Sequence, residues 1–209
     1  MKRGTTFLHL PPLILYPLSM PKFRIISVTG AHSKVGKTTL CSILLKNLKG
    51  FGAIKFTKTS LYAKVVDDPA IITQKDTDTG IMSEAGAEKV IWIQSPFNKL
   101  EDPLNIAMGM MAGLKGVIVE GNSPVDYMEP DLIVFIVGED GQIKPSAMES
   151  SKKADIIIIS SSKDIKNSTL PDSVLQEKRE VFRIDLAKKE GEIDKLVAHV
   201  NNILIDLQL

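Results

Sequence analysis

Short apolar runs recur along the chain, with polar or amphipathic stretches between them. Seven read as strands: residues 23–28, 52–55, 90–94, 116–120, 132–137, 155–160 and 181–185. Most are continuously apolar rather than alternating, which is the pattern of strands covered on both faces. After the first strand, Leu40, Ile43, Leu44 and Leu48 share one face of a helix over 38–48. Shorter helices are expected at 78–87, 146–153 and 171–180. Asp102 is placed to cap a helix that begins at Pro103 and runs to about residue 114. Met108, Met110 and Met111 on that helix read as core packing. The last helix is the clearest, with Ile193, Leu196, Val197, Val200, Ile203, Leu204 and Leu207 on one stripe. Strand and helix alternate, so the expected fold is α/β: a mainly parallel sheet of about seven strands with helices on both faces. Ligands of such sheets sit beyond the carboxyl ends of the strands. Functional residues are therefore sought just after each strand.

The stretch between the first strand and the first helix is Gly30-Ala31-His32-Ser33-Lys34-Val35-Gly36-Lys37-Thr38-Thr39. A strand, a loop ending in Gly-Lys-Thr and a helix make up a P-loop. Its backbone N–H groups turn inward to bind phosphate oxygens. The helix start adds its dipole and its unpaired N–H groups. Gly36 lets the backbone pass close to a phosphate without a Cβ. Lys37 would reach the β- and γ-phosphates, and the Thr38 hydroxyl would meet Mg²⁺. The strict pattern has glycine at position 31. Here Ala31 stands there, with Gly30 one residue earlier, so either alanine is tolerated or the loop is one residue longer.

Three further segments carry candidate chemistry. Glu120 ends the strand 116–120, where P-loop proteins keep an acidic residue that holds Mg²⁺ or orients the attacking water. The polar stretch 55–80 holds Lys55, Lys58 and Lys64, then Asp67, Asp68, Asp76 and Asp78. It reads either as a phosphate and metal site or as a solvated loop of mixed charge. After the strand 155–160, guanine-specific proteins often carry Asn-Lys-x-Asp, and here only Asp164 matches. Gly138-Glu139-Asp140-Gly141 reads as a tight turn.

Composition narrows the partners. With 26 basic and 25 acidic residues the formal charge is +1, which gives no reason to expect nucleic acid or an anionic membrane. A length of 209 residues suits one domain with a full core. The single cysteine, Cys41, allows no internal disulfide and reads as a buried thiol. His9, His32 and His199 are too scattered for a metal cluster. The apolar, proline-broken segment before Met20 is too short for a membrane span and reads as a poorly ordered extension, or as a misassigned start with Met20 the first residue. The nucleotide-binding domain is expected over 21–209. A nucleotide loop so close to the start argues for the cytoplasm over export.

Several pieces together resemble the MobB family, the molybdopterin-guanine dinucleotide biosynthesis protein B group. They are the P-loop with Thr38-Thr39-Leu40, Gly52-Ala53-Ile54-Lys55, Lys75-Asp76-Thr77, Glu84-Ala85-Gly86-Ala87 and Val119-Glu120-Gly121, in the family's order. Where the family carries a histidine-rich piece after its Ile-Lys strand, this chain has Phe56-Thr57-Lys58-Thr59. The family belongs to the branch of P-loop GTPases and ATPases that includes dethiobiotin synthetase and nitrogenase iron protein. The resemblance implies GTP binding with Mg²⁺, slow hydrolysis, a homodimer, and a partner nucleotidyltransferase of molybdenum cofactor. It implies that Gly36, Lys37 and Thr38 bind phosphate and Mg²⁺, that Glu120 sits by the metal, and that Asp76 lies near the γ-phosphate, holding metal or orienting water. GTP and ATP both stay open as ligands. So do two other roles on the same scaffold: a small-molecule kinase or ATP-dependent ligase, and a non-catalytic module that uses nucleotide to gate a partner.

Overall fold

The computed structural model describes residues 22–161 and 179–207. Its strands are β1 (Arg24–Gly30), β2 (Phe51–Lys58), β3 (Lys64–Val66), β4 (Val90–Ser95), β5 (Gly116–Glu120), β6 (Leu132–Gly138), β7 (Ile156–Ser160), β8 (Glu180–Asp185) and β9 (Glu190–Gly191). Its helices are α1 (Lys37–Asn47), α2 (Pro69–Ile72), α3 (Asp78–Glu84), α4 (Glu101–Gly109), α5 (Met148–Lys152) and α6 (Ile193–Asp206). All nine strands join one sheet in the order β3-β4-β2-β5-β1-β6-β7-β8-β9. The seven strands expected from the apolar runs are all present and pair in parallel. The two additions, β3 and β9, are short, antiparallel and at the sheet edges. Segments of three and two residues are too short to show a period.

Most strands are predominantly apolar because helices cover both faces. On one face α1, α3 and α6 pack Leu40, Leu44, Met82, Leu196 and Val200 against Ile26, Val28, Ile118 and Val134. On the other, Leu100, Leu104, Ala107 and Met111 cover Ile54, Ile91, Val117 and Val119. Ala147 and Ala154, flanking α5, lie over Phe135, Val137 and Ile157. Met111 is fully buried, and Met108 and Met110 pack at the edge of that second face. Cys41 is fully buried on α1.

Three expectations need correction. The helix expected to start at Pro103 starts at Glu101. A 3₁₀ turn (Phe97–Lys99) delivers the chain already wound, so Leu100 occupies the cap with helical dihedrals and Asp102 caps nothing. Pro103 is accommodated because the first turn needs no donor from it. The helix also stops early, at Gly109. Finally, the stretch 55–80 is not one loop. β2 continues to Lys58, β3 pairs with β4, and Asp68 caps α2 by accepting from the Ala70 N–H at 2.9 Å. The segment before Met20, most of the expected helix 171–180, and Asp164 lie outside the described residues.

Candidate functional site

The site is built where β1 turns into α1. Gly30 closes the strand, and a Cβ there would meet Val35 Cγ1 at 2.7 Å and Lys37 Cγ at 3.3 Å. Ala31 is fully buried and packs with Val125 and Phe135, while its N–H donates to Ile136 O at 2.8 Å. Gly30 thus meets the need for close approach at this turn, and the methyl of Ala31 goes into the core. The loop then passes through left-handed backbone at Lys34 (φ 63°) and Gly36 (φ 108°). Positive φ at a lysine costs on the order of 1–2 kcal/mol, and such outliers concentrate at ligand clamps. Gly36 is the cap of α1, and no side chain bonds the first-turn N–H groups. Those groups are left for an anion.

Lys37 folds back over the loop and donates to His32 O at 3.1 Å. Its burial holds the ammonium pKa below the ordinary lysine value, against the opposing pull of Glu120. Beneath it lies a four-residue network. Thr38 Oγ1 is 2.9 Å from Asp78 Oδ1 and 2.9 Å from Glu120 Oε2. Lys55 Nζ is 2.5 Å from Asp78 Oδ2 and 2.6 Å from Glu120 Oε1. Sheet register accounts for part of this: Lys55 on β2 lies directly beside Glu120 on the parallel neighbour β5. Asp78 arrives from α3, whose cap Thr77 accepts from Gly80 N–H and fixes the helix start. Burial works against the Lys55 charge, but the two carboxylates outweigh it and raise the pKa. Burial likewise works against ionised Asp78, and hydrogen bonds from Lys55 and Thr38 outweigh it, so its pKa falls.

A cleft of about 590 Å³ opens over this network. Of the residues singled out from the sequence, Ser33, Lys34, Gly36, Lys37, Thr38, Thr39, Lys55, Lys58, Asp78 and Glu120 line it. Gly30, Ala31, His32 and Val35 are not among the lining residues. Asp76 does not reach the cleft. It sits exposed in the turn before α3 with φ 62°, whereas Asp78, two residues on, lines the cleft. Lys55 and Asp78 stand out in the sequence only as two members of a run of lysines and aspartates. Asn122 carries no sequence signal beyond its position after Glu120. Its side chain brackets Gly30: Gly30 N–H donates to Asn122 Oδ1, and Asn122 Nδ2 donates to Gly30 O, both at 2.9 Å. It thereby ties the end of β5 to the start of the loop.

Asn122→Ala should therefore lower stability by about 2 kcal/mol, at roughly 1 kcal/mol per lost hydrogen bond, and weaken ligand binding at the loop. Urea unfolding with a parallel nucleotide titration checks this. Unchanged midpoint and affinity would deny Asn122 any positioning role.

The donor set suits Mg²⁺. The ion takes one or two carboxylates, keeps several waters and shares phosphate oxygens, in octahedral geometry. Asp78, Glu120 and the Thr38 hydroxyl match that chemistry. Among the described residues no group of three or more His, Cys, Asp or Glu could form an all-protein cage.

No protein-family model matches the sequence, and the comparison with curated proteins found no match. Solved structures share its fold. HypB from Helicobacter pylori, determined in complex with nickel, superposes with a TM-score of 0.56 at 12% identity and covers 89% of each chain. The "apo" form of LpxK from Aquifex aeolicus, in complex with ATP, gives a TM-score of 0.50 at 12% identity, covering 77% of this chain and 53% of LpxK. The chain thus spans about half the length of LpxK. Topology, loop and comparisons agree on the class: the chain has the α/β fold of the P-loop NTPases.

Proposed function

We propose that this protein binds a nucleoside triphosphate with Mg²⁺ and slowly releases its terminal phosphoryl group to water, in a MobB-like accessory role in molybdenum cofactor maturation. The observation that carries the nucleotide part is the convergence of Lys37, Thr38, Asp78 and Glu120 on one cleft at the start of α1. Loop N–H groups and Lys37 would hold the phosphates and offset the charge of the transferring group. Thr38, Asp78 and Glu120 would hold Mg²⁺, which supplies electrostatic stabilisation of that charge. Asp78, kept ionised, would orient a water. The molybdenum part rests on the ordered sequence pieces that resemble MobB, and with it come a homodimer, a nucleotidyltransferase partner and a cytoplasmic setting. No helix among the described residues is long and apolar enough to cross a membrane.

One observation favours a second reading, a small-molecule kinase or ATP-dependent ligase. A shallow depression of about 550 Å³, lined by Thr59, Ser60, Pro96 and Phe97, adjoins the cleft and shares Lys58 with it. An acceptor seated there would lie next to the phosphates. Calorimetric titration with GTP and with ATP, each with Mg²⁺, tests the first reading. Binding with preference for GTP is expected. Strong preference for ATP would remove the MobB role, and no binding of either would remove the nucleotide. Phosphate release that required an added acceptor would select the second reading.

A further inference from the structure

The four carboxylate oxygens of Asp78 and Glu120 are all engaged. Lys55 takes Oδ2 and Oε1, and the Thr38 hydroxyl faces Oδ1 and Oε2. A hydroxyl has one proton, so Thr38 donates to one carboxylate at a time and keeps lone pairs for a metal. The ammonium has no such freedom. A divalent ion held by Thr38, Asp78 and Glu120 would sit about 2.0–2.1 Å from its oxygens. Lys55 Nζ bridges the other oxygens of the same two carboxylates, and two cations sharing those carboxylates in a partly buried site repel.

We propose that Lys55 is a built-in counter-cation of the metal site, which a divalent ion must displace from Asp78 and Glu120 before it can bind. This rests on the metal-assisted nucleotide reading above and deepens it. Lys55 is anchored for the task, since the β2–β5 register holds its backbone beside Glu120 and its side chain is only 13% exposed. Lys37 and Lys55 face the two carboxylates while Lys34 and Lys58 also line the cleft, so the site carries a positive excess before a ligand arrives. A metal alone would make it strongly positive. A metal carried with a polyphosphate brings the anion that takes up the displaced ammonium. The device makes metal and nucleotide binding mutually dependent and keeps divalent ions without nucleotide out of the cleft.

The test is a Mn²⁺ titration followed by the EPR signal of the unbound ion, on wild type, Lys55→Met and Lys55→Arg, with and without a non-hydrolysable GTP analogue. Wild type should bind Mn²⁺ at least about 10-fold more tightly with the analogue than without, the usual size of coupling between sites. Lys55→Met should bind Mn²⁺ tightly without the analogue and lose most of that coupling, whereas Lys55→Arg, which keeps the charge, should behave as wild type. Mn²⁺ should also raise the melting temperature of Lys55→Met more than that of wild type. Equal Mn²⁺ affinity in wild type and Lys55→Met would overturn the proposal while leaving nucleotide binding intact. Were Lys55→Met not to fold, wild type without metal–nucleotide coupling would overturn it alone. Failure of wild type to bind the analogue at all would instead sink the nucleotide reading, and the proposal with it.

Discussion

Lys37→Ala is expected to lower nucleotide turnover by about 10²–10³-fold, the usual consequence of removing one preorganised donor to the developing charge. Affinity for the triphosphate should fall by at least about 10-fold, since a charge-assisted hydrogen bond contributes about 1.5–3 kcal/mol. The fold should barely register the change. Lys37 makes one hydrogen bond, to a carbonyl of its own loop, and its ammonium is already disfavoured by burial. That lysine is set out for a ligand, because the partner it has in the loop does not match its charge. The measurement is calorimetric titration with GTP and ATP alongside a thermal melt without nucleotide. Wild-type-like binding in the variant would end the P-loop assignment. A large drop in melting temperature would mean that Lys37 is structural.

The loop and the sheet were legible because their signals are local. Most of the seven parallel strands are covered on both faces and give continuous apolar runs, and Gly36-Lys37-Thr38 follows the first of them. Glu120 was legible for the same reason, as a carboxylate ending an apolar strand. What the sequence hides is pairing across the sheet. Lys55 meets Glu120 only because β2 and β5 are neighbours in the sheet order, and nothing in either segment announces that order. Asp76 and Asp78 are separated by a single threonine. Thr77 caps α3, so Asp78 becomes its first residue and turns toward Thr38, while Asp76 stays in the left-handed turn outside. A capping residue before a helix is readable, but which carboxylate it aims at the P-loop depends on where α3 docks. Asn122 is a similar case: an amide can bracket a backbone, but only the tertiary fold brings Gly30 to it.

Glu120→Ala should be the most damaging substitution to stability. Glu120 is 1% exposed, and it holds both Lys55 and the Thr38 hydroxyl. Removing one partner of a buried ion pair leaves the other charge uncompensated and costs about 3–5 kcal/mol. Asp78 still faces Lys55, so the lower end, about 3 kcal/mol, is expected, against a total stability of roughly 5–15 kcal/mol. Metal-dependent turnover should be lost as well. Glu120→Gln separates the two effects: the amide keeps an acceptor for Thr38 and the side-chain volume, so stability should recover in part while metal binding does not. Removing both charges in Lys55→Met with Glu120→Ala should cost less than Glu120→Ala alone, because an apolar replacement of a buried pair is often near neutral. Urea unfolding of wild type, Lys55→Met, Glu120→Ala and the double variant reads out this cycle, with Glu120→Gln measured alongside. A Glu120→Ala midpoint equal to wild type, or a double variant no more stable than that single one, would show that Lys55 and Glu120 do not depend on each other for stability.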